Sequence, residues 1–372
     1  MSVRLVHIAD VHLGAPLANF GDYARQRRSE QQEAFRRAVD AALAARAQVV
    51  VIAGDFFDTF RPEPAAVELA RRELGRLEEA GVKVFGVPGT HDSLGYAECV
   101  YRHESLPFHH FFDRPTFEDP VRLEVEGVPV TIYGIAYDPR RTGGGWKTLS
   151  RTGEEGIHVA VVHAACRFNP EWPIAEEDLP FLERELSGFG MDYIALGHYH
   201  NLRIFEAGGR VVGAYSGSLE GRDWTERGPR HVLVVEWDEP GAAPTVRPVE
   251  VHSRLMDVRE VDVTGAADEE EMIAAVESAC DAERLWKATL VGEPEVIPRP
   301  RTIEASLASR YGHLRVEDRT SMVASHVLEQ RREEETVRGE FFRRLVDRRE
   351  TAEGRTAEVV DRAIKLGLRV FG

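Results

Sequence analysis

Cysteine is scarce here: three in 372 residues, Cys99, Cys166 and Cys280, widely spaced and with no Cys-x-x-Cys pair. That argues against a disulfide scaffold or a cysteine-held metal cluster, and the thiols read as small buried apolar groups in a reducing cytoplasm. Long apolar runs are missing too. None approaches the ~18 residues that a membrane helix needs, so no membrane span is expected. The apolar start, residues 3–9, lacks the charged lead-in and small-residue cleavage site of a secretory signal. Positive charge is in deficit, with 47 Lys and Arg against 63 Asp and Glu and a net charge of -16. Such a balance speaks against a protein that coats nucleic acid through a basic surface. It leaves room for an enzyme that meets phosphates through bound cations and a local basic rim. No internal repeat of fixed period is visible.

What is present is an alternation of β-rich and helical patterns. Residues 3–9, 48–53 and 82–87 are continuous apolar runs, the pattern of strands covered on both faces. Between them, Phe35, Ala38, Val39, Ala42 and Leu43 fall on one helical face, as do Val67, Ala70, Leu74 and Leu77. Ser29 and Gln32 have the spacing of a capping box for the first of these helices. Further strands are expected at 122–125, 128–135, 157–162, 193–196, 204–205, 211–215 and 232–237, some of them antiparallel. The predicted fold is α/β, with two mixed β-sheets packed face to face and flanked by helices. A small α/β cap and a helical C-terminal tail follow. The domains expected are 1–255, 256–322 and 323–372, the second opening a helix at a capping box, Asp268 to Glu271.

Five polar motifs sit at the carboxyl ends of predicted strands: Asp10-Val11-His12, Gly54-Asp55-Phe56-Phe57-Asp58, Gly89-Thr90-His91-Asp92, His163, and Gly197-His198-Tyr199-His200. Ligands collect at such strand ends in α/β sheets. Extended residues two apart share a side, so Asp10 and His12 can face one point, as can His198 and His200. Imidazoles mixed with carboxylates suit Mn²⁺, Fe²⁺ or Zn²⁺, whereas Mg²⁺ and Ca²⁺ prefer oxygen alone. The supply is enough for two ions if one carboxylate bridges them. Singly, each motif has an ordinary reading as a turn or helix cap; His7 and His158, inside strands, read as satisfied sheet residues.

This series resembles the calcineurin-like metallophosphoesterase superfamily. Within it, the segments IADVHLG, AGDFFDT and YSGSLEG resemble the SbcD-type DNA repair exonucleases and their YhaO-like relatives. The resemblance implies a first metal on Asp10, His12, Asp55 and His200, with Asp55 bridging to a second whose ligands include His163 and His198. It implies two divalent ions, foremost Mn²⁺. His91 would stabilise the transition state or protonate the leaving oxygen, with Asp92 orienting it. Thr90 departs from the family pattern, which has Asn there as a ligand, so weaker occupancy of the second site is expected. The function implied is phosphodiester hydrolysis of DNA, exonucleolytic on duplex ends and also endonucleolytic on single strands. The alternative is a phosphoesterase for small molecules or nucleotides. Partners implied are DNA, a second copy of the chain, and an SMC-like ATPase of SbcC type gripped by the C-terminal helices.

Three basic clusters are candidates for a DNA rim: Arg25, Arg27 and Arg28; Arg140, Arg141 and Lys147; and Arg222, Arg227 and Arg230 around Trp224. In the tail, Val337, Phe341, Phe342, Leu345 and Val346 form an apolar stripe, either for a partner or for a hairpin with Val360, Ile364 and Leu368.

Overall fold

A computed structural model of the chain describes residues 2–139, 145–153, 155–168, 174–320 and 325–371. It divides into two compact units, Met1–Arg254 and Leu255–Gly372. In chain order the first unit contains β1 (Val3–Ile8), α1 (Ala24–Ala44), β2 (Val49–Ala53), α2 (Pro64–Glu79), β3 (Lys83–Val87), the single turn α3 (Val100–His103), β4 (His110–Phe111), β5 (Val121–Val125), β6 (Val128–Ile135), β7 (Ile157–His163), β8 (Tyr193–Gly197), β9 (Arg203–Ala207), β10 (Arg210–Tyr215), β11 (His231–Trp237) and β12 (Thr245–Glu250).

These strands make two sheets, ordered β12-β11-β1-β2-β3-β4 and β5-β6-β7-β8-β10-β9. In the first, β1 to β4 run parallel while β11 is antiparallel to β1. In the second, β6, β7, β8 and β10 run parallel, with β5 and β9 antiparallel at the edges. Both sheets are therefore mixed, as expected.

Alternation along β1 shows why both faces are apolar. Val3, Leu5 and Ala9 join Val159, Val161 and Tyr193 in the core between the sheets. Val6 and Ile8 face the other way, against Phe35, Val39, Leu74 and Leu77 of the helices. His7 falls on the inter-sheet side, where its nitrogens meet the Tyr193 hydroxyl at 3.0 Å and the Leu196 carbonyl at 3.2 Å. His158 is likewise buried beside the Tyr133 hydroxyl, at 2.8 Å. Both are satisfied sheet residues.

Ser29 does not cap a helix. α1 begins at Ala24, and Ser29 lies exposed in its interior. The buried face of Ala24, Arg27, Gln31 and Ala34 carries the helix back past the serine.

The second unit holds a parallel sheet of β13 (Met256–Asp262), β14 (Leu285–Val291) and β15 (Leu314–Asp318), with α4 (Glu269–Ala279) and α5 (Pro300–Leu307). Asp268 caps α4, its carboxylate accepting the Glu271 N–H at 3.0 Å. Three helices follow, α6 (Ser325–Glu333), α7 (Val337–Glu350) and α8 (Gly354–Phe371). Phe342 packs with Val360, Ile364 and Leu368, flanked by Phe341, Leu345 and Val346. The tail stripe is thus consumed by a helical hairpin, except for Val337, which is 88% exposed. Among the described residues no helix is long and apolar enough to cross a membrane.

Candidate metal centre

Strands β1, β2 and β3 are parallel neighbours, and so are β7 and β8, so the segments that follow them emerge at one edge of their sheet. There the backbone takes a rare form. Asp10, His12 and Asp55 have φ of 49°, 50° and 47°, and His198 has 110°. Left-handed backbone costs a non-glycine residue about 1 kcal/mol or more, so it persists only where the surroundings enforce it. Asp10 and His12 are therefore not aligned by extended alternation, as their spacing predicted. They are bent into place and stitched to the next loop, with Asp10 N–H donating to the Gly54 carbonyl (3.2 Å) and His12 N–H to that of Asp55 (2.9 Å).

Three glycines clear the space. A Cβ at Gly54 would strike the His163 ring, one at Gly89 the Asp55 carboxylate, and one at Gly197 the Ala53 carbonyl.

Two donor groups that share Asp10 result, and a third, partly exposed, joins His12 to Asp58 and His91. Asp10, His12 and His200 offer one ligand atom each within 4.8 Å of one another, and so do Asp10, Asp55 and His163. Asp55 Oδ2 lies 3.7 Å from His12 Nε2 and 3.4 Å from His163 Nε2, between the two groups. His198 stands beside the second, its ring 5.3 Å from that of His163, while its backbone N–H donates to Asp10 at 3.0 Å. His198 and His200 thus turn to different halves of the site. Thr90 Oγ1 donates to Asp55 Oδ2 at 3.2 Å, and the His91 backbone N–H to Asp55 Oδ1 at 2.8 Å.

The nitrogens show what this cluster accepts. His163 Nδ1 donates to the Ala53 carbonyl at 3.0 Å, leaving a buried Nε2 with no hydrogen-bond partner. His12 Nδ1 faces Asp58 Oδ1 at 3.2 Å and His200 Nδ1 faces Glu226 Oε1 at 2.7 Å. Each carboxylate can accept the Nδ1 proton, which leaves the two Nε2 atoms facing one another at 3.2 Å. Carboxylate–histidine pairs of this kind orient imidazoles for a metal.

Electrostatics agree. Burial lowers His12 to about 4 and His198 to about 3, keeping both neutral with a lone pair available. Burial would also lower His163, but the Asp55 and Asp10 carboxylates outweigh it and raise it to about 10. Glu226 and Asp10 likewise raise His200 against its burial. Buried carboxylates here call for positive charge, and a divalent cation is the group this donor set fits.

Asp92 corrects an expectation. It does not contact the His91 ring; its oxygens accept the N–H groups of Phe56 (2.9 Å), Phe57 (3.1 Å) and Gly89 (2.7 Å), and the Tyr101 hydroxyl. It is a latch between two loops. His91, 43% exposed, instead sets Nδ1 against the Asp58 carbonyl at 2.9 Å.

Sequence reasoning gave no role to Asp58 or Glu226. Asp58 meets His12 and also the Arg222 guanidinium, at 2.7 Å. Glu226 joins His200 to Ser218, which donates to it at 2.7 Å. No local signal marks Glu226, which sits 26 residues beyond its partner.

The basic rim also needs correction. Arg27 is buried and paired with Glu30 and Glu220, and Arg230 is buried against the His200 carbonyl and Asn201. Neither presents charge to a ligand. Trp224 is half-buried, its ring 6.2 Å from that of Phe20. Arg25, Lys147 and Arg227 are exposed, whereas Arg140 and Arg141 lie outside the described residues.

The sequence profile of the calcineurin-like phosphoesterase family matches residues 3–202, more than half of the chain. The DNA double-strand break repair protein Mre11 of Methanopyrus kandleri is 31% identical over 301 residues, covering 73% of this chain and 61% of that protein. Its counterpart in Sulfurisphaera tokodaii is 30% identical over 219 residues, covering 56% and 52%. The uncharacterized metallophosphoesterase YhaO of Bacillus subtilis is 25% identical over 282 residues, covering 74% and 67%. The chain thus spans 52% and 61% of the lengths of the two Mre11 relatives.

Proposed function

The chain belongs to the calcineurin-like phosphoesterase family, and on that premise we propose that it is a two-metal phosphodiesterase acting on DNA in repair, with exonuclease activity of SbcD type. The observation that carries this reading is the pair of donor groups, buried except for a half-buried His200, with Asp55 Oδ2 between them. Asp10, His12, Asp55 and His200 would hold one ion, and Asp55, His163 and His198 the other, with Thr90 at its margin. When bound, two divalent cations, Mn²⁺ foremost with Fe²⁺ or Zn²⁺ as alternatives, supply Lewis acidity toward phosphoryl oxygens and bring the pKa of water toward neutrality.

The chain's own residues do the rest. Asp58 and Glu226 fix the Nδ1 protons of His12 and His200, so that Nε2 is the nitrogen offered in each. The Asp58 carbonyl accepts the Nδ1 proton of His91, so the imidazolium form of that ring, with its second proton on Nε2, would give the Nε2 proton to the departing oxygen and keep the one on Nδ1. Asp92 holds the loops carrying Asp55 and His91 in register.

DNA is favoured as substrate by the two relatives whose names assign them to double-strand break repair. A partner for the C-terminal helices belongs to the same reading. On α8, Val359, Leu366 and Val370 are 61%, 60% and 68% exposed. Their helical spacing makes a stripe able to lie on the coiled coil of an SMC-like ATPase.

The test is to incubate Mn²⁺-loaded protein with end-labelled duplex and single-stranded DNA, and in parallel with bis(p-nitrophenyl) phosphate. Shortening of the labelled duplex is expected. Hydrolysis of the small ester alone would replace DNA with a small phosphoester, and activity on neither would remove the enzyme reading.

A further inference from the structure

We infer that Arg222 is the phosphate clamp of this centre, a guanidinium fixed at the cleft wall to bind a non-bridging oxygen of the phosphoester, which rests on the phosphodiesterase reading above. In the sequence Arg222 was one of several arginines in a general basic rim. The structure separates it from them. Arg27 and Arg230 are buried in internal pairs, and Arg227 is exposed. Arg222 instead lines a cleft of about 570 Å³ together with Asp58, His198, His200 and Asn201.

Its place is set on three sides. The Arg222 backbone N–H donates to Glu226 Oε2 at 3.2 Å, and its carbonyl accepts from Asn19 Nδ2 at 2.8 Å. Its Nη2 donates to Asp58 Oδ1 at 2.7 Å. Glu226 and Asp58 are the same two carboxylates that orient His200 and His12. The guanidinium is thereby tied through Asp58 to His12, and the Arg222 backbone through Glu226 to His200.

Its hydrogen bonding is unfinished. The side chain is 20% exposed, and Nε is buried with no hydrogen-bond partner among the described residues. A guanidinium keeps its charge at any working pH and presents donors in a planar fork that matches phosphate oxygens. Asp58 Oδ1 is shared between this guanidinium and His12 Nδ1. A residue placed only to support Asp58 would not need to line the cleft beside His198 and His200. One placed to meet a phosphate would.

The experiment compares wild type, Arg222→Gln, Arg222→Lys and Asp58→Asn as full-length, Mn²⁺-loaded proteins. Four quantities are read: bound Mn²⁺ per chain, the Kd for inorganic phosphate by calorimetry, and KM and kcat on bis(p-nitrophenyl) phosphate. Arg222→Gln should keep wild-type Mn²⁺ content and bind phosphate about tenfold or more weakly, the loss of a charge-assisted hydrogen bond. Arg222→Lys should recover part of that affinity. Asp58→Asn should weaken phosphate binding with the arginine still present, because its anchor is reduced. Unchanged phosphate affinity in Arg222→Gln with Mn²⁺ retained would overturn the clamp. So would lost Mn²⁺ with unchanged phosphate affinity in the chains that remain loaded, which would make Arg222 a support for Asp58 only. If wild type itself takes up no Mn²⁺, the metal-centre reading underneath is what fails.

Discussion

Thr90 shows how one side chain sets the strength of a site. Its hydroxyl reaches Asp55 Oδ2 at 3.2 Å and gives it a proton to share, so it competes with a cation for that oxygen. Asparagine would extend an amide oxygen farther from the backbone and offer a neutral acceptor instead. Thr90→Asn is therefore expected to tighten the second of two Mn²⁺ binding events about tenfold, the scale on which neighbours of a metal tune its affinity. A calorimetric titration checks this, and identical isotherms for the two proteins would remove the role given to Thr90. Glu226 acts in the opposite sense. Burial pushes its carboxyl up, but His200, Ser218 and Arg230 hold it down at about 2, so it stays charged behind His200. Glu226→Gln keeps the shape and deletes the charge. Mn²⁺ affinity is expected to fall about tenfold to a hundredfold, with an equal affinity in the variant counting against the pairing. The motif residues themselves were legible because each follows a continuous apolar strand. The roles of Asp58, itself the last residue of one motif, and of Glu226 were not, because their partners lie 46 and 26 residues away and only folding brings them together.

At the scale of elements, the site is an edge of strand ends held in register by loop-to-loop hydrogen bonds. Asp92 is the densest such point: three backbone N–H groups and the Tyr101 hydroxyl converge on it. Burial, and next the Asp55 charge, raise its carboxyl to about 6. Asp92→Ala would leave three buried N–H groups without an acceptor, at a cost of about 3 kcal/mol. A lower urea midpoint together with weaker Mn²⁺ binding is expected, and a variant as stable as wild type would show that water or relaxation satisfies those donors. Sequence patterns found the strands whose two faces are covered, β1, β2, β3, β7 and β8, since coverage leaves an unbroken apolar run. They missed β12, which pairs only with β11, carries Pro248 and is largely exposed. An edge strand of that kind has little apolar signal. They also placed a cap at Ser29, inside α1, because spacing alone cannot tell a first turn from a later one.

The molecule as a whole senses acid through histidines buried without a charge. His7 is the one farthest from the candidate ligands in role: it packs between the sheets, joined to Tyr193 and Leu196. Burial holds it down at about 3, against a modest upward pull from the Leu196 carbonyl. Its ordinary value is about 6.5, so between those two values the unfolded chain carries a proton there and the folded chain does not. The unfolded state then binds more protons, and stability must rise with pH across that window and fall as pH drops from about 6.5 toward 3. The largest slope one such histidine can give is about 1.4 kcal/mol per pH unit. His7→Gln removes the titration while keeping a polar group that can meet the Tyr193 hydroxyl. Urea unfolding of wild type and variant at several pH values, with metal chelated in both, isolates the difference, since the other histidines titrate alike in the two. The variant's stability should decline with acid less steeply by up to that slope. Parallel curves would mean that His7 takes up its proton without unfolding the sheets around it.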